Sequence, residues 1–146
     1  MQNLPPEIID KIFLYTDLET CVKNKKFHLL KYMPNVTMRW AARHGYLDVI
    51  KHLHKNDKKF DSYEFRNSLI LSHAAECGHL EIVKYLHEVI GMKCTEESLT
   101  WAIITNHLEI IKYLRSKGVG CTKMMIHYGS ISSRPEIVEF FKTIKN

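Results

Sequence analysis

The chain has 146 residues, 45% apolar and 25% charged, the make-up of a folded globular protein and not of a disordered segment. Its apolar runs are a few residues long, far short of the roughly 20 needed to cross a bilayer. The opening MQNLPPEIID has no basic stretch leading into an apolar one, so no secretory signal is expected, and an intracellular location (cytoplasm, or host cytoplasm) is. The net charge of +5, from 21 basic and 16 acidic side chains, favours an acidic partner without demanding nucleic acid.

The first segment with a pattern is LPPEIIDKIFLYTDLE, Leu4 to Glu19. Pro5 and Pro6 fix an extended entry, and Ile8, Ile9, Ile12 and Phe13 then fall on one helical face. This segment resembles the opening of an F-box, with which adaptor proteins dock on the Skp-type subunit of cullin ubiquitin ligases. The resemblance implies Leu4, Pro5, Ile8, Ile9, Ile12 and Phe13 as docking residues. The next stretch, CVKNKKFHLLKYM from Cys21 to Met33, aligns instead with the repeated phrase described below and puts Phe27, Leu29, Leu30 and Met33 at its apolar positions. Residues 1–35 thus read either as an F-box-like segment or as a capping helix on a degenerate first repeat. The lysines of this stretch, Lys23, Lys25, Lys26 and Lys31, read as a solvated face.

From Val36 onward one phrase recurs: AARHGYLDVIKHL from Ala41, AAECGHLEIVKYL from Ala74, AIITNHLEIIKYL from Ala102, and the fainter GSISSRPEIVEFF from Gly129. The starts are 33, 28 and 27 residues apart. Self-similarity at such a period signals a repeat array in which each unit buries its apolar face only by stacking on its neighbours. Within a unit the pattern is helix, turn, helix. Ser68 to Cys77 carries Leu71, Ala74 and Ala75 at helical spacing, Gly78 suits a left-handed helix end, and Leu80, Ile82, Val83 and Leu86 form the next apolar face. Ala41, Ala74, Ala102 and Gly129 are equivalent and small enough for helices to approach closely. Leu53, Leu86, Leu114 and Phe141 are equivalent anchors. Asp48, Glu81 and Glu109 are each followed three residues later by Lys51, Lys84 and Lys112, which predicts structural ion pairs on helix surfaces. The last unit has Ser133, Arg134 and Pro135 at its turn and Glu139 in place of the lysine, as an atypical capping repeat would.

The string GHLEIVKYL at Gly78–Leu86, with Ala74 and Ala75 ahead of it, resembles the ankyrin repeat, and its wording is similar to that of ankyrin proteins encoded by giant viruses of amoebae. The likeness covers about Val36 to Phe141. It departs from the usual repeat in an opening that reads VTMRWA and TKMMIHYG, and in two short units, which leaves both a projecting hairpin and a plain loop open between units. The resemblance implies an all-α, ankyrin-type helical solenoid of about four repeats over residues 36–146, its first and last units degenerate, with residues 1–35 an F-box-like or capping helical segment. It also implies a partner protein held on the concave face by the ends of the first helices and the connectors before them: Arg43 and His44; Arg66, Ser68, Glu76 and Cys77; Glu96, Ile104 and Thr105; Lys123, Ile131 and Ser132.

The residues offer little equipment for catalysis. Cys21, Cys77, Cys94 and Cys121 form no CxxC pair and read as reduced thiols. His79-Leu80-Glu81 and His107-Leu108-Glu109 lack the PCxxC partner of a zinc deaminase. Both histidines occupy the repeat position of Tyr46 and Arg134, which points to hydrogen bonding at a helix–turn junction. Trp40, His73, Trp101 and Tyr128 form an aromatic row. Such a row stacks bases in some proteins and packs unit against unit in solenoids. The expected function is therefore non-enzymatic protein binding, with no cofactor and no metal. The alternatives are a ubiquitin-ligase adaptor and a basic nucleic-acid binder.

Overall fold

A computed structural model describes residues 18–24, 36–56, 69–132 and 134–144. Among these residues the regular structure is helical throughout. A short helix α1 (Leu18–Lys23) precedes four pairs: α2 (Met38–His44) with α3 (Leu47–Asn56), α4 (Ile70–Glu76) with α5 (Leu80–Glu88), α6 (Glu96–Ile104) with α7 (Leu108–Ser116), and α8 (Lys123–Ser130) with α9 (Pro135–Ile144). The F-box-like residues Leu4, Pro5, Ile8, Ile9, Ile12 and Phe13 lie outside the described residues, as do Phe27 to Met33, Arg66 and Ser68.

Helices of seven to ten residues are marginal in water by themselves, so packing must hold them. The first helices α2, α4, α6 and α8 pack in a row, and each second helix lies against its own partner. Ala41, Ala74 and Ala102 are fully buried on the first helices, where a larger side chain would push the row apart. The second helices contribute Val49 and Ile50, Ile82 and Val83, Ile110 and Ile111, and Ile137, all buried, with Leu86, Leu114 and Phe141 as fully buried anchors. Leu53, expected as the fourth anchor, is only half-buried and packs against the edge of this core. One polar contact crosses the core: Ser72 of α4 and Ser98 of α6 share a buried hydrogen bond of 3.1 Å, and Thr95 reaches Ser98 at 3.0 Å.

Threonine caps start three of the first helices. The side chains of Thr37, Thr95 and Thr122 accept from the backbone N–H groups of Trp40, Ser98 and Met125 at 3.1–3.2 Å. The connectors 89–95 and 117–122 contain no strand, so these units are joined by plain loops and no hairpin projects from them.

The turn inside each unit carries the contact between units. Gly45 and Gly78 sit at φ of 82° and 81°, and the imidazole of the following unit lies directly against each glycine. A Cβ on Gly45 would stand 2.8 Å from His79, and one on Gly78 would stand 2.5 Å from His107. The absent side chain thus permits both the left-handed backbone and the ring. In return, His79 Nε2 donates to the Arg43 carbonyl and His107 Nε2 to the Glu76 carbonyl, each at 3.1 Å, which satisfies an acceptor at the end of a first helix. The third turn has Asn106, at φ 62°, where the first two have glycine, and the facing position is Arg134 instead of histidine. There the Ser132 hydroxyl donates to Asn106 Oδ1 and accepts from the Arg134 N–H. The glycine occurs where an imidazole packs on it and is replaced where none does. His107→Ala should lower stability by about 1 kcal/mol, the net worth of one hydrogen bond, read as a lower urea midpoint with an unchanged slope.

Ion pairs line the outer surface. Lys84–Glu81 and Lys112–Glu109 form at 2.8 Å, as the spacing predicts. The third expected pair does not form: Lys51 lies instead over the Tyr85 ring, 5.9 Å from its centroid. The fourth unit makes its own pair one turn later, Lys142–Glu139 at 3.3 Å. Tyr85 and Tyr113 line the same surface, each edge-on to a histidine of the preceding unit, His54 and His87. No described helix is long and apolar enough to cross a membrane.

Candidate partner-binding face

The stacking that buries the alanines leaves one side of the first helices uncovered. Because these helices pack in order, equivalent positions form strips across the molecule. One strip is Arg43, Glu76, Ile104 and Ile131; beside it run His44, Cys77, Thr105 and Ser132, and one turn earlier Trp40, His73, Trp101 and Tyr128. Eight of the residues expected to contact a partner lie in the first two strips, at the C-terminal ends of α2, α4, α6 and α8. Glu96 and Lys123 lie apart from them, exposed at the opposite ends of α6 and α8. The Glu96 carboxylate is favourable at a helix N-terminus, and the connector passes close to it: a Cβ on Gly120 would be 3.3 Å from its oxygen.

The two halves of the face differ in chemistry. In the first two units the charged groups engage one another. Glu76 accepts from His73 Nδ1 at 3.3 Å and stands 3.8 Å from the Arg43 guanidinium, which remains half exposed. The neighbouring Cys77 thiol is held above its ordinary pKa by burial and by the Glu76 carboxylate, against the opposing pull of Arg43, so it stays protonated near neutral pH. Trp40 is stacked on His44 (centroids 4.3 Å, 17°) and on Tyr46 (5.3 Å, 9°), which leaves this indole to internal packing.

In the last two units the same positions are apolar and open. Ile104 is 50% exposed and Ile131 64%, while Trp101 and Tyr128, one turn away on the same helix faces, are 38% and 43% exposed. By sequence Trp101 and Tyr128 belong to an aromatic row that packs or stacks, and they are not among the expected contact residues. The structure puts them on the open face beside Ile104 and Ile131. The repeat alignment already held the signal, since Trp101 shares its position with His73, a polar residue that a fully buried site would not accept without a partner.

An open cleft of about 370 Å³ lies on the turn side, lined by residues of the second, third and fourth units. Asn106, His107, Glu109, Arg134 and Glu136 are among its lining residues. It opens at the turn where Arg134 stands in place of a third imidazole. Among the described residues no cluster of three or more His, Cys, Asp or Glu could hold a metal ion, and the four cysteines are free thiols.

A family model for ankyrin repeats, three copies, matches residues 38–125. The chain belongs to the ankyrin-repeat family, and the stack of helix pairs described above is an all-α ankyrin-type solenoid. No curated protein and no solved structure matches it. Neither the likeness to viral ankyrin proteins nor the F-box-like segment gains support from the family match, which begins at residue 38.

Proposed function

We propose that this ankyrin-repeat chain is a non-enzymatic module that holds another protein across the open face of α2, α4, α6 and α8. Proteins built from such repeats are general protein-interaction modules. The observation that carries the reading to this face is its exposed apolar group in the third and fourth units, Ile104, Ile131, Trp101 and Tyr128. Such residues gathered on one side of a protein mark interaction sites, and tryptophan and tyrosine are enriched among the residues that dominate binding energy. The outer surface, in contrast, is laced with ion pairs. Affinity capture from lysate tests the reading. Proteins retained by the wild type and by the outer-surface variant Lys84→Ala should be lost from Ile104→Glu and Thr105→Arg, with all four proteins equally helical by circular dichroism. Identical capture by all four removes the face from consideration.

The adaptor reading rests on the sequence from Leu4 to Phe13. A purified Skp-type subunit retained by the wild type but not by Ile9→Asp or Phe13→Asp would establish it, and no retention by the wild type would remove it.

A further inference from the structure

The open face has a direction, and that direction describes its ligand. At one end α2, MRWAARH, contains no carboxylate, and both of its arginines are exposed. Arg39 makes no ion pair among the described residues, and Arg43 has Glu76 at 3.8 Å, an acceptor it shares with His73. At the other end Ile104 and Ile131, with Trp101 and Tyr128, present apolar surface at the positions that Arg43 and Glu76, Trp40 and His73 occupy in the first two units. Along the row the register passes from Arg43, with Glu76 beside it, to Ile104 and Ile131, and the exposed Arg39 adds a second positive charge at the α2 end. We infer that the face takes a short segment of a partner protein with bulky apolar side chains at one end, seated over α6 and α8, and carboxylates at the other, paired with Arg39 and Arg43 on α2.

The inference rests on the open face being the binding surface and adds the chemistry of what lies on it. Charge complementarity selects the occupant. A basic segment would meet Arg39, which has no acidic partner among the described residues, beside an Arg43 only partly offset by Glu76 at 3.8 Å, and a uniformly acidic one would desolvate its carboxylates against Ile104 and Ile131 without partners. Length follows from packing. Three steps between neighbouring helices at about 8–10 Å each give a run of about 24–30 Å, which an extended chain covers in about eight residues.

Selection from a library of random dodecamer peptides displayed on phage, with the full chain as bait, tests this. The selected peptides should join apolar and aromatic residues at one end to Asp or Glu at the other. Synthetic copies should bind about tenfold more weakly to Ile104→Glu, the loss of one well-placed anchor. Reselection on Arg39→Glu should exchange the acidic residues for Lys or Arg. Selected peptides without this polarity that still lose affinity for Thr105→Arg would overturn the inference and leave the face as the binding surface. Peptides indifferent to Ile104→Glu and Thr105→Arg alike would remove both. Failure to select any peptide overturns the inference, because it holds that a short segment suffices.

Discussion

Replacing Leu86 by alanine should destabilise the protein by about 2–5 kcal/mol, the cost of removing a large aliphatic side chain whose site cannot collapse. Leu86 is fully buried, and its helix α5 packs on α4 and on α7. A cavity there weakens two links at once. In a stack where each unit touches only its neighbours, such a loss in the middle divides the array, whereas the same loss at an end frays one unit. Urea denaturation followed by circular dichroism should show a lower midpoint. It should also show a shallower or two-step transition, as the units on either side of α5 cease to unfold together. A single transition with an unchanged midpoint would mean that Leu86 does not hold the central interface.

Gly129→Ala should destabilise by about 1–3 kcal/mol although it places a better helix former in α8. Two effects oppose each other. Alanine in a helix interior is favoured over glycine by up to about 1 kcal/mol. A Cβ at 129, however, would lie 2.2 Å from Cδ2 of Phe141, with two further ring carbons within 2.5 Å, and Phe141 is fully buried in α9. The ring is fully enclosed and would have to shift against its neighbours, so overpacking is expected to outweigh propensity. The test is a double-mutant cycle. Phe141→Leu alone should destabilise, and Gly129→Ala should be nearly neutral in the Phe141→Leu background. An equal penalty for Gly129→Ala in both backgrounds would show that the contact with Phe141 is not the cause.

The two substitutions differ in what the sequence reveals about them. Leu86 stands out from sequence alone: it ends the apolar stripe of a phrase repeated four times, and helical periodicity points it inward. Gly129 aligns with Ala41, Ala74 and Ala102, which shows that the position must be small but not why this unit goes smaller still. The reason is Phe141, which takes the place of leucine in the anchor row and fills the volume a methyl group would need. The same holds for the histidines. Their shared repeat position pointed to hydrogen bonds at a turn, but that the acceptors are the Arg43 and Glu76 carbonyls of the preceding unit required the stack. Asp48 and Lys51 show the reverse case. The i, i+3 spacing satisfied the rule for an ion pair, yet Lys51 lies over the Tyr85 ring of the neighbouring unit and makes no pair with Asp48.

The open face was legible in part. The repeat register placed Arg43, Glu76, Ile104 and Ile131 on one strip because equivalent positions in a solenoid share an environment. Which strip is open and which is packed depends on neighbours that are 27 to 33 residues away in the chain, and local periodicity carries no information about them. Trp40 and Trp101 hold the same repeat position, yet one is stacked between His44 and Tyr46 and the other lies open beside Ile104. The sequence alone determined the repeat, its two-helix unit and its apolar anchors, since these follow from spacing within a few turns of helix. Only the tertiary structure decided which of the remaining side chains are covered, and hence that the face passes from arginine at one end to isoleucine and aromatic surface at the other.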